Sequence, residues 1–201
     1  AKNADMESEK KKKGKEKKNN LFMDTIEVVF SALVLYFIIS TFIIQARVVP
    51  TASMEPTIKP GERFLANKFI FWLREPKRGE IVVFKPPAEA SQTQDYVKRV
   101  IGLPGEVVEL RPGKVLINGK ELNEPWITAG YQLRAVDPGA PYKGPYKIPE
   151  GTYYVMGDNR NYSEDSRYFG PVPRKNLRGL GFWRFWPPTR IGLLTPQKSG
   201  E

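Results

Sequence analysis

The 201-residue chain contains no cysteine and no histidine. The missing cysteine excludes disulfide bonds, thiolate metal sites and cysteine nucleophiles, and the missing histidine excludes a Ser-His-Asp triad. Because cysteine-free chains occur in oxidising and reducing compartments alike, this absence indicates no location. Any catalysis must therefore use serine, threonine, lysine, tyrosine or carboxylate side chains.

Metal-binding and phosphate-binding motifs are missing as well. Asp158, Glu164 and Asp165 lack the glycine and the alternating acids of a calcium loop. The sequence also has no glycine-rich loop of the kind that holds phosphate groups. We therefore expect no metal ion and no cofactor.

Positive charge is plentiful, since the formal net charge is +10, but it is spread unevenly. Residues 1–20 hold eight lysines against four acids, so this segment contributes +4 and the remainder +6. The segment is almost devoid of apolar residues, which predicts a disordered, lysine-rich tail. This distribution argues against nucleic acid as a partner.

The one long apolar run, from Val28 to Ala46, has nineteen residues without a charge. A bilayer is spanned by roughly 20 residues, so the run predicts a transmembrane anchor over residues 21–47. A cleavable signal peptide is disfavoured because no Ala-x-Ala site follows at Ile44–Arg47. A buried core helix is disfavoured because no later segment has helical periodicity to pack around it. The positive-inside rule places the lysine-rich tail in the cytoplasm and the rest of the chain outside.

Beyond the anchor, short runs of β-branched and aromatic residues alternate with glycine and proline, a pattern typical of strands. Asn118-Gly119 predicts a type I′ hairpin, and Leu103-Pro104-Gly105 predicts a type II turn. Residues 48–201 should therefore form a mostly β, antiparallel domain with a smaller insert over about residues 107–150. The predicted strands are residues 63–67, 80–84, 96–101, 106–110, 114–117, 121–122 and 152–156.

Ser53 lies in the short polar segment Pro50–Thr57, seven residues beyond the end of the apolar run at Ala46. Even a fully extended chain keeps Ser53 within roughly 25 Å of the bilayer core, so we expect a substrate at the membrane surface. By itself, a segment rich in proline, threonine and serine is typical of a loop. A serine hydroxyl becomes a nucleophile when a neighbouring base takes its proton, and without histidine the plausible base is a desolvated lysine.

Lys98 is the lysine that best fits this need. In its predicted strand it shares a face with Tyr96 and Val100, so burial among apolar neighbours would disfavour its ammonium form. On the strand pattern alone, an edge lysine that discourages aggregation is the commoner explanation. The segment Gly157–Arg167 follows an apolar strand and is dense in hydrogen-bonding side chains. It is either a solvated turn or a platform that orients the base.

Four segments in a fixed order give these residues a common meaning: Pro50–Ile58, Arg78–Phe84, Asp95–Glu106 and Tyr154–Gly170. Together they resemble the bacterial type I signal peptidases, from the anchor almost to the C-terminus. The resemblance implies that Ser53 is the nucleophile and Lys98 the general base. It also implies that the Thr51 hydroxyl and the Ser53 N–H form the oxyanion hole, with threonine here where some members have serine.

The resemblance implies supporting roles for further residues. Ser163 falls where the family has a hydroxyl that hydrogen-bonds the lysine. Asp165 falls where an acid braces the site, with Arg99 and Arg167 as its charge partners. Shallow apolar pockets in such enzymes select small residues, typically alanine, at the first and third positions before the cut. The residues that match positions lining these pockets are Val49, Met54, Ile58, Tyr96 and Val97.

The implied activity is that of a membrane-anchored Ser/Lys endopeptidase, which removes signal peptides from exported preproteins at the outer face of a bacterial plasma membrane. Its partners would be those preproteins and membrane lipids. An extended substrate would add a strand beside residues 95–98. Two aromatic runs, Phe69–Leu73 and Phe182–Trp186, are expected to contact either lipid or the protein core.

Two other functions fit part of the pattern. A membrane-anchored binding module with a basic outer surface, holding anionic lipid or nucleic acid, would explain the charge but not the four ordered segments. A self-cleaving protein of the repressor type would share the Ser/Lys chemistry, but the predicted anchor argues against it.

Overall fold

The computed structural model describes residues 23–37, 43–90 and 94–194, and the chain divides into two compact units, Ala1–Ile43 and Ile44–Glu201. In the first unit, residues 23–37 form helix α1. Within the three described ranges, no helix combines the length and the apolar character needed to cross a bilayer. The predicted tail, residues 1–20, lies outside the described residues, as do residues 21–22 and 38–42 of the predicted anchor.

The C-terminal end of the predicted anchor requires a correction. Ile44–Val48 form strand β1, which pairs antiparallel with β2 (Arg63–Asn67) from Ile44↔Asn67 to Val48↔Arg63. Branched side chains such as Ile44 and Val48 favour extended backbone, and the pairing satisfies the N–H and C=O groups of both strands. The second unit therefore begins at Ile44 and not at residue 48.

The larger sheet of the second unit has eight strands among the described residues, all paired antiparallel. Besides β1 and β2, the strands are β3 (Ile81–Phe84), β4 (Tyr96–Gly102), β9 (Thr152–Met156), β10 (Val172–Pro173), β11 (Leu177–Trp186) and β12 (Gly192–Leu193). Their order is β1-β2-β11-β3-β4-β9-β10, and β12 pairs with β11 beyond this path. The mostly β, antiparallel fold class predicted from the sequence is confirmed for this unit.

A smaller sheet lies within the predicted insert. Its strands are β5 (Val107–Arg111), β6 (Lys114–Ile117), β7 (Lys120–Glu121) and β8 (Tyr146–Lys147). Their order is β7-β6-β5-β8, again antiparallel throughout. The hairpin turn between β6 and β7 has Asn118 at φ 51° and Gly119 at φ 78°, as the predicted type I′ turn requires.

Strand β4 sends alternate side chains into different apolar clusters. Tyr96 and Val100 are buried with Phe84 and Phe169, whereas Val97 packs against the cluster that holds Met54. Lys98, between Tyr96 and Val100 in this alternation, therefore projects on the same face as they do. That placement carries the lysine into the interior beside the Ser53 segment.

The two aromatic runs differ in their exposure. Ile70–Leu73 form the single-turn helix α2, in which Phe71 is buried while Trp72 is 76% exposed. The second run lies in β11, the longest strand, where Trp186 is 52% exposed. Part of each run therefore packs on the protein, and one tryptophan of each faces solvent.

Candidate active site

Ser53 is held on a 3₁₀ turn, Ala52–Met54, that follows β1. Met54 is fully buried in the core, so its side chain fixes one side of the turn by packing. From the other side, Asn159 donates its backbone N–H to the Ser53 carbonyl and its side-chain amide to the Ala52 carbonyl, both at 3.1 Å. Contacts on both sides therefore hold the turn in place, and with it Ser53.

Two donors converge beside the Ser53 hydroxyl. Thr51 Oγ1 lies 3.1 Å from Ser53 Oγ and shares a hydrogen bond with it, so the Thr51 side chain does not cap the turn. Because Ser53 stands at the start of the turn, its N–H has no helical acceptor, and no described residue accepts a hydrogen bond from it. A backbone N–H without an acceptor and a neighbouring hydroxyl are the elements of an oxyanion hole.

Lys98 reaches Ser53 directly. Its Nζ atom lies 2.7 Å from Ser53 Oγ, although the two residues are 45 positions apart in the chain. The two residues are nearly buried, at 5% exposure for Lys98 and 8% for Ser53. A base must be in contact with the nucleophile that it deprotonates, and Lys98 is in contact with Ser53.

Burial lowers the pKa of Lys98 from its ordinary value to about 8. The carboxylates of Asp165, Glu164 and Asp158 oppose the shift, and the Arg167 guanidinium adds to it. A lysine with a pKa near 8 is substantially neutral in mildly alkaline solution, which is the state that a proton acceptor requires.

Asp165 and Arg167 form a buried pair behind the lysine. The Asp165 carboxylate accepts from Arg167 Nε at 2.7 Å and from Arg167 Nη2 at 2.8 Å, and also from the Gly157 N–H at 3.0 Å. Burial alone would raise the pKa of Asp165, but the Arg167 guanidinium and these hydrogen bonds hold it below its ordinary value. Arg167 also donates to the carbonyls of Arg160 and Ser163, so the pair fixes the whole loop that follows β9.

Arg99 does not pair with Asp165, which corrects one expectation. Its guanidinium binds Asp158 through Nε at 2.8 Å and Nη2 at 2.6 Å, and donates to the Gly79 carbonyl at 2.7 Å. Alternation along β4 places Arg99 on the face opposite Lys98, toward Asp158 at the start of the polar loop. Thr57 completes this cluster by donating to Asp158 at 2.5 Å.

Ser163 differs from its expected role. Its hydroxyl is buried and has no hydrogen-bond partner, so the expected bond to Lys98 is absent. Lys98 is instead directed at Ser53. Ser163 nevertheless packs close to Gly157, where a Cβ atom would collide with Ser163 Oγ and with the Ser53 carbonyl oxygen. Position 157 therefore requires glycine, because the polar loop and the nucleophile turn touch backbone to backbone there.

A cleft of about 150 Å³ opens over Ser53 and Lys98. Of the five expected pocket residues, Val49, Tyr96 and Val97 line it. Met54 and Ile58 do not, since both are fully buried in the core beneath. Sequence reasoning missed Tyr162 and Glu164, which also line the cleft. The Tyr96 hydroxyl donates to the Glu164 carboxylate at 2.8 Å. In the sequence, the one sign that Glu164 belongs to the site is its position next to Asp165 in the polar loop.

One edge of β4 is open where it passes the cleft. Tyr96–Arg99 pair with β3 on one side, but pairing with β9 on the other side begins only at Arg99↔Met156. Among the described residues, no strand occupies the second edge of Asp95–Lys98. An extended peptide could hydrogen-bond along this edge and bring a carbonyl carbon to Ser53.

The arrangement is suited to acyl transfer. It combines a nucleophilic hydroxyl, a buried base in contact with it, two oxyanion donors and an open strand edge. In the described part of the chain, no group of three or more acidic side chains is placed to hold a metal ion.

A family model and two similar proteins indicate one family. A family model described as signal peptidase, peptidase S26, matches residues 22–186. A probable signal peptidase I-2 of Synechocystis sp. is 42% identical over 96% of this chain and 86% of its own. A signal peptidase I of Leptolyngbya laminosa is 39% identical over 91% of this chain and 89% of its own. A crystal structure of a signal peptidase I from Enterococcus faecalis V583 is 36% identical and aligns with 53% of this chain and 97% of its own, at a TM-score of 0.45.

Proposed function

This chain belongs to the signal peptidase family, peptidase S26, and on that basis we propose that it cleaves signal peptides from preproteins with Ser53 as nucleophile and Lys98 as general base. The observation that carries the assignment is the 2.7 Å contact between Lys98 Nζ and Ser53 Oγ. Burial of both residues supports it, because a solvated lysine would remain protonated near neutral pH.

The reaction begins with neutral Lys98. It takes the Ser53 proton while Ser53 Oγ attacks the scissile carbonyl carbon, which forms a tetrahedral oxyanion. The Ser53 N–H and the Thr51 hydroxyl stabilise that oxyanion. Lys98 then gives its proton to the departing amine as the C–N bond breaks, which leaves an acyl-enzyme on Ser53. A water molecule, deprotonated by Lys98, hydrolyses this ester and restores the serine.

Substrate binding follows from the open edge of β4. The residues before the cut would lie extended beside Asp95–Lys98, with backbone hydrogen bonds that accept many sequences. Val49, Tyr96 and Val97 border the cleft at Ser53, and its volume of about 150 Å³ suits a small side chain such as alanine. Asp165 with Arg167, and Arg99 with Asp158, would act as positioning residues that hold the polar loop against the nucleophile turn.

Activity in trans tests the function. Full-length protein in detergent is incubated with a preprotein that carries an Ala-x-Ala site, and the new N-terminus is identified by mass spectrometry. Cleavage directly after the second alanine is expected. A binding module would cleave nothing, and a self-cleaving protein would cut its own chain but not the added preprotein.

The pH dependence follows from the base. Because Lys98 accepts a proton only when neutral, and burial places its pKa at about 8, kcat/KM should reach a plateau above that pH. Below it, the rate should fall about tenfold per pH unit as the ammonium form takes over. The measurement is kcat/KM between pH 6 and 10 for a peptide without titratable side chains. A flat profile from pH 6 to 9 would contradict a titrating lysine.

We propose that the chain spans a bacterial plasma membrane once, with residues 1–20 in the cytoplasm and the β-rich unit outside. The charge-free run and its lysine-rich flank support this topology. Exposed Trp72 and Trp186 would then be candidates for contact with lipid.

Labelling can test the topology, because the chain has no cysteine of its own. Single cysteines are introduced at Lys12→Cys, in the tail, and at Lys120→Cys, an exposed position of the smaller sheet. A membrane-impermeant maleimide should label Lys120→Cys in intact cells and Lys12→Cys only after lysis. The reverse pattern would refute the proposed orientation.

A further inference from the structure

An aromatic ring and a carboxylate stand beside the base in the catalytic cleft. Lys98 Nζ lies over the Tyr96 ring, 5.4 Å from its centroid, on the face of β4 that the two side chains share. The Tyr96 hydroxyl donates to the Glu164 carboxylate at 2.8 Å, and all three residues line the cleft together with Ser53. Tyr96 therefore contacts the base through its ring and the carboxylate through its hydroxyl.

The Tyr96 side chain is held firmly by its neighbours. It is 8% exposed and packs edge-on against Phe84 and Phe169, with ring centroids at 6.0 and 5.9 Å. A ring packed in this way has little freedom, so its hydroxyl is a fixed hydrogen-bond donor. Glu164 belongs to the polar loop after β9 and is half-buried. The rigid strand thus fixes where the carboxylate of a loop residue lies relative to Lys98.

The charges that act most strongly on the base come from four side chains of the polar loop. Three carboxylates favour its ammonium form and one guanidinium opposes it; they are Asp165, Glu164, Asp158 and Arg167. On its other sides Lys98 meets the Ser53 hydroxyl and the Tyr96 ring, and pairs with Val82 of β3 in the sheet. None of these three is charged at neutral pH, so the polar loop decides the electrostatics of the base.

The three carboxylates differ in what holds them. Asp165 and Asp158 are each bound by an arginine through two nitrogen atoms. A guanidinium held against a carboxylate offsets much of the effect of its charge on a neighbouring group. The Tyr96 hydroxyl is a neutral donor, which orients a carboxylate without cancelling its charge. The hydrogen bond from Tyr96 thus leaves the Glu164 charge able to act on Lys98.

The reaction needs the ammonium form of the base as well as the neutral form. Burial makes neutral Lys98 available, but the same burial disfavours the cation that forms when Lys98 takes the Ser53 proton. In the tetrahedral intermediate this cation must persist until it protonates the departing amine. A carboxylate in the wall of the cleft lowers the free energy of that state.

We propose that Glu164, held by the Tyr96 hydroxyl, is a positioning residue that stabilises the ammonium form of Lys98 during acyl transfer. This inference rests on the proposed function. The proton moves from Ser53 Oγ to Lys98 Nζ and then to the amine, and no bond to Glu164 forms or breaks. The Tyr96 ring adds to the effect, because the negative face of an aromatic ring favours a nearby cation.

The pH profile of Glu164→Gln tests this role. Glutamine keeps the shape and an oxygen that accepts from Tyr96, but it has no charge. With the full-length protein and a peptide without titratable side chains, kcat/KM is measured between pH 6 and 10. The low-pH limb should move to lower pH by about half a pH unit, because the ammonium form loses a carboxylate. The plateau should fall about twofold, because a weaker base takes the Ser53 proton more slowly.

The two profiles should therefore cross. Below pH 7 the variant should be slightly faster than the wild type, since about threefold more neutral amine outweighs the loss of base strength. If Glu164 only supported the loop, its replacement would lower the rate at every pH and leave the limb in place, and that result would overturn the proposal. An NMR titration of the isotope-labelled Lys98 Cε signal, assigned by its absence in Lys98→Met, should show the same shift without turnover.

Tyr96→Phe tests whether the hydroxyl acts through the carboxylate. It keeps the ring, so the limb should move in the same direction but less far than in Glu164→Gln. The double variant should shift no further than Glu164→Gln alone, whereas a simple sum of the two shifts would contradict the coupling. Glu121→Gln removes the same charge from an exposed site on the smaller sheet and should leave the profile unchanged. If Tyr96→Phe disturbs folding, as judged by circular dichroism, Glu164→Gln decides the question alone.

The outcomes separate this inference from the function on which it rests. Ser53-dependent cleavage whose limb and Cε titration are unmoved in Glu164→Gln would overturn the role of Glu164 and leave the peptidase assignment intact. Failure of the wild-type protein to cleave the peptide would reject the proposed function and this inference with it.

Discussion

Replacing Ser53 with alanine is expected to lower kcat at least about 10⁴-fold, because within the described ranges no other hydroxyl is hydrogen-bonded to the proposed base. Lys98→Met should lose a comparable factor, since methionine fills the same space but accepts no proton. The two residues act as a unit through their 2.7 Å contact. The double variant should therefore be about as impaired as either single variant, and the losses should not multiply. Single-turnover cleavage of a preprotein measures all three.

Folding is the control for this experiment. Burial lowers the pKa of Lys98 from the ordinary 10.5 of lysine to about 8, so at neutral pH, where the ammonium form dominates, the buried charge destabilises the folded protein. Lys98→Met removes that cost and should unfold at a temperature no lower than the wild type does. Undiminished cleavage by either variant would refute the Ser/Lys assignment.

Replacing Thr51 with valine is expected to lower kcat by about 10²–10³-fold, with a much smaller change in KM. Valine keeps the branched shape of threonine but removes the hydroxyl that lies 3.1 Å from Ser53 Oγ. The lost donor acts mainly when the carbonyl oxygen becomes an oxyanion, so the ground state is little affected. Steady-state kinetics with a peptide substrate separate the two constants.

Two further variants make the Thr51 result specific. Thr51→Ser keeps the hydroxyl and should retain most of the activity. Thr152→Val removes a hydroxyl that binds the Pro149 carbonyl, away from the cleft, and should leave kcat unchanged. A Thr51→Val protein with wild-type kcat would exclude Thr51 from the oxyanion hole.

Local composition and strand alternation made much of the fold and part of the site predictable from the sequence. Short runs of β-branched and aromatic residues, bounded by turn residues, identified β2, β3, β4, β5, β6 and β9 closely. The same alternation placed Lys98 on the face of Tyr96 and Val100, where burial follows directly. Leu103–Glu106 form the predicted turn, with Gly105 at φ 80° and a hydrogen bond from the Glu106 N–H to the Leu103 carbonyl.

Side-chain partners were harder to predict than strands. The choice between Asp158 and Asp165 as the partner of Arg99 depends on which face of β4 meets which end of the polar loop. Arg99 and Asp158 are 59 residues apart in the chain, so the local sequence pattern contains no information about their contact. Ser163 illustrates the same limit, because its place in the sequence does not determine the direction of its hydroxyl.

Five of the described strands were not predicted. Three of them, β8, β10 and β12, have only two residues each, and the two longer ones, β1 and β11, were missed for identifiable reasons. The first three residues of β1, Ile44–Ala46, end the charge-free run, and hydropathy does not distinguish the end of a membrane helix from an apolar strand. β11 contains Gly179 and Gly181, and its bulges break the regular alternation. Gly179 and Gly181 lie where the neighbouring β2 approaches closely, and a side chain there would press on Asn67 and Phe64.

The pairing of β1 with β2 has a practical consequence for producing a soluble, truncated enzyme. A truncation that starts at residue 48, directly after the predicted anchor, would delete four residues of β1. The edge of β2 would then be uncovered, inviting association between molecules, and Asp95 would lose its ion pair with Arg47. A secreted version should therefore begin no later than Ile44, so that the nucleophile turn keeps the strand from which it emerges.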